Sequence, residues 1–406
     1  MLTPCIGIVA EYNPFHNGHA YHLAAAKAQI GNCPVVAVMS GNITQRGLPA
    51  LTDKWIRAEL AVKNGVDLVI ELPTIFSCRS AQYFAEGAIM LLNATGIVSH
   101  LAFGSENANL SFLTTAAQNS YLLNHKLASK LKKGHSYAEM VAQIISKENL
   151  ETTKLLSLPN NILAVEYLKA LQLSNSKIIP LPIKRKAVMY HDLEEQDGFA
   201  SATAIRNFLA NEDWPNIQKT VSPITTQKLI EIKSQERLGY QQNKLDLLLT
   251  YKLRQLSPQV INVWSECSEG LENKFKQANA ASSWPEIVAI VKSKRYPATR
   301  INRILMQLLL SSPDLNFKAA LSPEPAYLRI LAFNNNGRAL LAKMKNNSTL
   351  PLITKVGRNF SQITNNPQFI NSLKIDFAAT DLYGLIQKNP QPPAKDFFTQ
   401  PYYFKE

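Results

Sequence analysis

The stretch Cys5 to Leu23, CIGIVAEYNPFHNGHAYHL, constrains this chain more than any other. Ile6 to Glu11 is a short apolar run of the kind that forms a buried strand. Asn13 and Pro14 break it. After His16, Asn17, Gly18 and His19 comes an Ala-rich run, Ala20 to Ile30, that predicts a helix. Two histidines therefore flank a glycine where a buried strand turns into a helix.

A helix N-terminus presents unpaired N–H groups and a partial positive charge, which suits phosphate. Gly18 lets a polyphosphate approach the backbone closely. Imidazoles at i and i+3 share a helical face and can donate to the same phosphate oxygens. The crevice beyond the carboxyl ends of parallel strands is where α/β proteins bind nucleotides. A metal pair or a surface coincidence are the alternative readings of HxxH. Against zinc stand the i, i+3 spacing in a turn and the lack of a nearby Cys or completed acidic set. Glu11 could reach a magnesium ion, but no residue here is assigned as a metal ligand.

A strand, then HxGH, then a helix resembles the signature of the HIGH-type nucleotidyltransferase superfamily, which includes adenylyltransferases and class I aminoacyl-tRNA synthetases. Its members hold ATP so that a nucleophile attacks the α-phosphate and pyrophosphate leaves. The motif alone implies only that much.

With 406 residues, 46% of them hydrophobic, the chain can bury a full core in two or three domains. Four scattered cysteines with no CxxC spacing argue for a reducing cytoplasm and against a disulfide frame. The N-terminus runs straight into a strand with no signal-peptide pattern, and no apolar run is long enough to span a membrane. The formal net charge of +13 is uneven. Residues 1–206 hold 18 Lys+Arg against 15 Asp+Glu, and residues 207–406 hold 25 against 15. All seven histidines fall in the first half. Acid–base side chains thus collect in one half and excess positive charge in the other, which suggests a phosphate-backbone partner.

Along the first half, Pro34–Ser40, Val66–Leu72, His100–Gly104 and Lys177–Ile183 read as further strands, with helices between them. This alternation predicts an α/β fold with a Rossmann-like, doubly wound parallel sheet. The loop Gly41–Gly47 follows the second strand, and its Arg46 is a candidate to meet a carboxylate or phosphate. The run 109–173 reads as helical, and Asn160 or Asn161 can cap its last helix or present an amide to a nucleotide. Lys184, Arg185 and Lys186 follow the fifth strand, and Arg185 is the one expected to offset triphosphate charge. In GFASATAIR, Ser201 or Thr203 can cap a helix that carries Arg206 one turn in, a second anion site.

From residue 207 the pattern turns mostly helical: Pro223–Glu236, Lys244–Gln255, Ser268–Ala280 and Trp284–Ser293. The chain is therefore read as an ATP-binding domain over 1–206 and a basic helical domain over 207–406. Lys292 to Arg303 carries Lys292, Lys294, Arg295, Arg300 and Arg303, with Tyr296 among them and no acid. Cations with an interleaved aromatic suit RNA: phosphates meet the charges and an unstacked base meets the ring. The proline-bearing tail reads as loosely ordered or late to dock.

Taken together, the chain closely resembles the bacterial tRNA(Met) cytidine acetate ligase family. The resemblance rests on AEYNPFHNGHAYHL (10–23), MSGNITQRG (39–47), GVDLVIELP (65–73), FGSEN (103–107), LPNNILA (158–164), SATAIR (201–206) and KSKRYPATR (292–300). It implies that ATP and acetate give acetyl-adenylate and pyrophosphate. The acetyl group then passes to the wobble cytidine in the anticodon loop of elongator tRNA(Met). By position, the ATP loop would be Val9, Ala10, Glu11, Tyr12, Asn13, Pro14, Phe15, His16, Asn17, Gly18, His19, Ala20, Tyr21 and His22. Further ATP contacts would come from Gly104, one of Asn160 or Asn161, and Arg185. Ser201 and Arg206 match a superfamily motif that closes over the triphosphate, while Ala200 and Ala202 depart from it. Acetate is already anionic and needs placement rather than a general base, so His16, His19 and Arg46 are expected to stabilise charge. Magnesium bridging the phosphates is expected. The alternatives are a small-molecule adenylyltransferase and a non-catalytic RNA-binding protein. The sequence leaves the oligomeric state open.

Overall fold

Five short runs of the first half pair in parallel as the larger part of one sheet. In a computed structural model that describes residues 4–119, 158–185, 197–357 and 366–405, they are β1 (Ile6–Ala10), β2 (Val35–Ser40), β3 (Leu68–Leu72), β4 (His100–Ser105) and β5 (Ile179–Lys184). The strand order is β5-β4-β1-β2-β3. Chain order reverses between β1 and β4, so their carboxyl ends open the switch-point crevice. Helices α1 (Asn17–Ile30) and α2 (Lys54–Lys63) cover one face. The helices Ala81–Ala94 and Pro159–Leu173 cover the other. In β2 the two-residue pleat sends Val35, Ala37 and Met39 to the first layer and Val36 and Val38 to the second. Such fully buried side chains each stabilise by about 1.5–3 kcal/mol, so both faces bind the sheet firmly.

The sheet does not stop at residue 206. β6 (Leu328–Phe333) pairs antiparallel with β3, and β7 (Leu352–Ile353) and β8 (Tyr402–Tyr403) pair with β6. Residues 207–406 are mostly helical, as their sequence predicts, but three strands from that span also join the sheet. The longest helices among its described residues are Pro223–Ser234, Gln242–Gln255, Ala298–Leu309, Asn335–Asn347 and Pro367–Leu385.

The tail is docked rather than loose. Asp396 is buried between Lys54, at 2.8 Å, and Arg329, at 2.5 Å. Lys54 and Arg329 also reach Glu71 on β3, at 2.8 and 3.4 Å. The tail therefore supplies one carboxylate of a buried charge cluster, which an unsatisfied Lys–Arg pair requires. Lys186, the histidines at 125, 135 and 191, and most of the helical reading over 109–157 lie outside the described residues. No helix among the described residues is long and apolar enough to cross a membrane.

Candidate active site

The turn from β1 into α1 is held from several sides. Tyr12 sits in the left-handed region at φ 46°, and the Asn13–Pro14 bond is cis. The Glu11 carbonyl accepts from Arg57 Nη1 at 2.7 Å, and the Asn13 carbonyl accepts from Arg206 Nη1 at 2.8 Å. Leu51 N–H donates to Asn13 Oδ1, and Gln45 N–H donates to Glu11 Oε1, both at 2.7 Å. Tyr12 and Phe15 are buried beneath the His19 ring, at 4.9 and 5.5 Å between centroids. Their side chains form the floor under that ring.

His16 is the N-cap of α1. Its Nδ1 accepts from Gly18 N–H at 3.0 Å, while His19 Nδ1 accepts from His16 N–H at 3.2 Å. This is a capping box made of two imidazoles. Each Nδ1 spends its lone pair on a backbone donor, so each ring carries its proton on Nε2. The rings stack at 3.8 Å. Burial first, then Arg185 and Arg206, pushes His16 down to about 3. Burial first, then His16, holds His19 well below the usual histidine range. Burial and Arg185 push His22 down to about 4. At neutral pH these are uncharged N–H donors. His22 Nε2 is buried without a protein partner among the described residues.

Across the switch point, Gly104, the residue before the last of β4, lies beside Arg185. An ideal Cβ on Gly104 would lie 3.3 Å from Arg185 Cγ, so a side chain there would press on the stem that carries the guanidinium. Arg185 Nη1 donates to Asn160 Oδ1 at 3.2 Å, and Asn160 Nδ2 donates to Glu106 Oε1 at 2.8 Å. Asn161 is fully buried, with Oδ1 accepting from Ser105 Oγ and Glu106 N–H. Of the two asparagines, Asn160 is the one at the crevice, and Asn161 ties the helix to β4.

Ser201 caps its helix by accepting from Ala204 N–H at 3.0 Å, which occupies its hydroxyl oxygen locally. Thr203 Oγ1 accepts from Arg206 Nη2 and aims that side chain at Asn13. Asn17 Nδ2 donates to the Gly198 and Lys219 carbonyls, both at 2.8 Å, binding this segment to the start of α1. Arg46 lies half-buried in the Gly41–Gly47 loop, and its positive charge opposes that of Arg206.

The basic run is only partly available. Lys292, Lys294 and Arg295 are exposed, and Arg300 and Arg303 are half-buried. Arg295 and Arg300 share Glu269, at 3.0 and 3.6 Å. Tyr296 is corrected: it is 5% exposed, with its hydroxyl on the Glu269 carbonyl and its ring under Lys274, Arg295 and Arg300. No base can stack on it. Arg303 Nη1 donates instead to the Gln45 carbonyl at 3.4 Å. The run therefore ends against the loop that carries Arg46. Sequence reasoning missed Gln45 and Arg57. Both look like ordinary polar positions, and their contacts to the site reach Glu11, 34 and 46 residues earlier.

A strand-end capping box of two imidazoles, with arginines across the β1–β4 switch point, defines a nucleotide-binding site of the nucleotidyltransferase type. The HIGH Nucleotidyl Transferase family model matches residues 4–396. Curated relatives named tRNA(Met) cytidine acetate ligase match nearly end to end. The one from Halothermothrix orenii is 37% identical over 95% of this chain and 96% of its own. That from Alkaliphilus metalliredigens is 40% identical over 99% of each. Thermotoga maritima TmcAL superposes over the whole of both chains at 30% identity, with TM-scores of 0.90 for its apo form and 0.89 for the form bound with alpha-thio ATP. This chain belongs to the tRNA(Met) cytidine acetate ligase family.

Proposed function

We propose that this chain is an ATP-dependent ligase that joins acetate to the exocyclic amine of the wobble cytidine of elongator tRNA(Met). In the first step an acetate oxygen attacks the α-phosphorus of ATP. The bond to the β-phosphate oxygen breaks, and pyrophosphate leaves with the electron pair. In the second, cytidine N4 attacks the acetyl carbonyl and loses one proton as the amide forms. The carbonyl–phosphate oxygen bond breaks, and AMP leaves.

The observation that carries this reading is the pair of neutral Nε2–H donors at the α1 N-terminus with Arg185 and Arg206 close by. Donors held in place before reaction stabilise the charge that grows on the bridging and β-phosphate oxygens. Both Nδ1 atoms are engaged, so His16 and His19 stabilise charge and do not shuttle protons. Gly104, Asn160 and Arg185 would line the nucleotide on the β4–β5 side. Arg46 and Arg206 would serve the acetate and phosphate side. Among the described residues there is no group of three or more His, Cys, Asp or Glu that could hold a metal ion. Glu11 Oε1 already accepts from Gln45 N–H. Magnesium would thus arrive on the triphosphate and neutralise its oxygens there. Lys292, Lys294, Arg295, Arg300 and Arg303 would meet tRNA phosphates, so that residues 1–206 chiefly serve ATP and much of 207–406 serves tRNA. The reading puts the enzyme in the cytoplasm, where tRNA and ATP are.

The test uses labelled acetate, ATP and bulk bacterial tRNA, followed by nucleoside analysis. Label in N(4)-acetylcytidine, dependent on ATP, is expected. AMP transferred to a small metabolite, with no label in RNA, would overturn it.

A further inference from the structure

Arg57, on α2, is 1% exposed and faces the strand ends rather than solvent. Its guanidinium donates to main-chain carbonyls. Nη1 reaches Glu11 O at 2.7 Å and Ser40 O at 3.1 Å, Nη2 reaches Gly41 O, and Nε reaches Thr52 O at 3.1 Å. These four carbonyls are the end of β1, the end of β2, the first residue of the loop that carries Arg46, and the entrance to α2. Five residues after Glu11 comes His16. Among the ion pairs of the described residues Arg57 takes no part: Asp53 serves Arg237 and Lys395, and Glu71 serves Lys54 and Arg329. A buried cation without a dedicated carboxylate is costly, so its retention calls for a use.

We propose that Arg57 is a positioning residue for acetate activation: one planar fork fixes the His16–His19 turn and the Gly41–Gly47 loop relative to each other across the ends of β1 and β2. This rests on the ligase reading above. Lysine keeps the charge but loses the fork, since an ammonium cannot span four carbonyls around a plane. Displacement of the turn against the loop misaligns acetate with the α-phosphorus. A shift of about 1 Å in such alignment costs on the order of 100-fold in rate.

The experiment is acetate-dependent exchange of labelled pyrophosphate into ATP, with kcat expressed per folded enzyme from circular dichroism. The full chain is compared with Arg57→Lys, Arg57→Gln and Val62→Ala. Val62 is a core residue of the same helix, so its variant controls for loss of packing. The expected result is a kcat lower by about 10- to 100-fold in both Arg57 variants. Their KM for ATP should change less than about threefold and their tRNA affinity should stay at the native value, because ground-state binding is spared. Val62→Ala should keep its kcat. A native kcat in Arg57→Lys, or a loss equalled by Val62→Ala, overturns the proposal. So does a rise in KM alone, and so does failure of both Arg57 variants to fold, since the residue would then serve the core alone. No exchange by the native chain would instead sink the ligase reading.

Discussion

His16 and His19 are held neutral, so acetate activation should not follow a histidine titration. With His16 pushed down to about 3, kcat for pyrophosphate exchange is expected to stay flat from pH 6 to 8. A rise through a pKa of 6 to 7 that disappears in a histidine variant would contradict the donor role. Asparagine separates the two duties of His16, because its side-chain oxygen caps a helix as well as Nδ1 does but presents no Nε2–H. His16→Asn should therefore fold and bind tRNA, yet lose about 100-fold or more in adenylate formation. Stability supplies a second check. A group whose pKa falls on folding leaves the unfolded state binding more protons below its unfolded value. Its contribution is thus complete above pH 6.5 and is lost as pH falls towards 3. For a fully buried His16 the loss is about 1.4 kcal/mol per pH unit from about pH 6 to 4. His16→Asn should remove that slope. Urea midpoints at pH 7 and 5 measure it, and equal pH slopes in native and variant protein would refute the burial argument.

Among the elements, the loop Gly41–Gly47 and the helix Ala298–Leu309 form one joint. Gly47 has φ +76°, and a Cβ there would lie 2.4 Å from Arg303 N. Gly47→Ala must move backbone against backbone, and the left-handed strain alone costs about 1–3 kcal/mol. Thermal unfolding should show the loss. Pyrophosphate exchange and tRNA affinity should both fall, because the joint ties Arg46 to Arg303. A loss in only one of them would separate the two elements. For Arg295→Ala with Arg300→Ala, the shared Glu269 lowers the expectation from two phosphate contacts to about one. The slope of log affinity against log salt should fall by about 0.7, read by filter binding across a salt series. A fall of twice that would mean Glu269 is displaced when tRNA binds. These contacts mark where the sequence stopped being legible. The parallel strands were readable, because most of the apolar runs are bounded by local breakers such as Gly41, Gly65 and Pro73. The HxGH turn was readable because its chemistry lies within four residues. Tyr296 was not: an aromatic among cations suggests exposure, and only Glu269, 27 residues earlier, shows that the ring is covered. Arg57 was unreadable for the same reason, since its acceptors are carbonyls up to 46 residues away.

At the scale of the whole molecule the chain closes on itself. β6 carries the same apolar signature as the first five strands, but its partner β3 lies some 260 residues earlier, and no local pattern announces that pairing. The tail then seals the joint by placing Asp396 between Lys54 and Arg329. Burial alone would raise this carboxyl, but the two cations hold it down at about 2. Asp396→Asn would leave Lys54 and Arg329 with Glu71 as their one anion among these four groups. Removing one partner of such a cluster costs about 3–5 kcal/mol, because the uncompensated charge stays buried. Lys54→Met on top of Asp396→Asn removes the excess cation and leaves Arg329 with Glu71. The double variant should thus be more stable than Asp396→Asn alone, the reverse of what two independent losses would give. Urea unfolding of the native chain, both single variants and the double variant decides it. A cost below about 1 kcal/mol for Asp396→Asn, or simple addition in the double variant, would mean that the tail only covers the sheet edge and that the cluster does not fasten the two ends of the chain together.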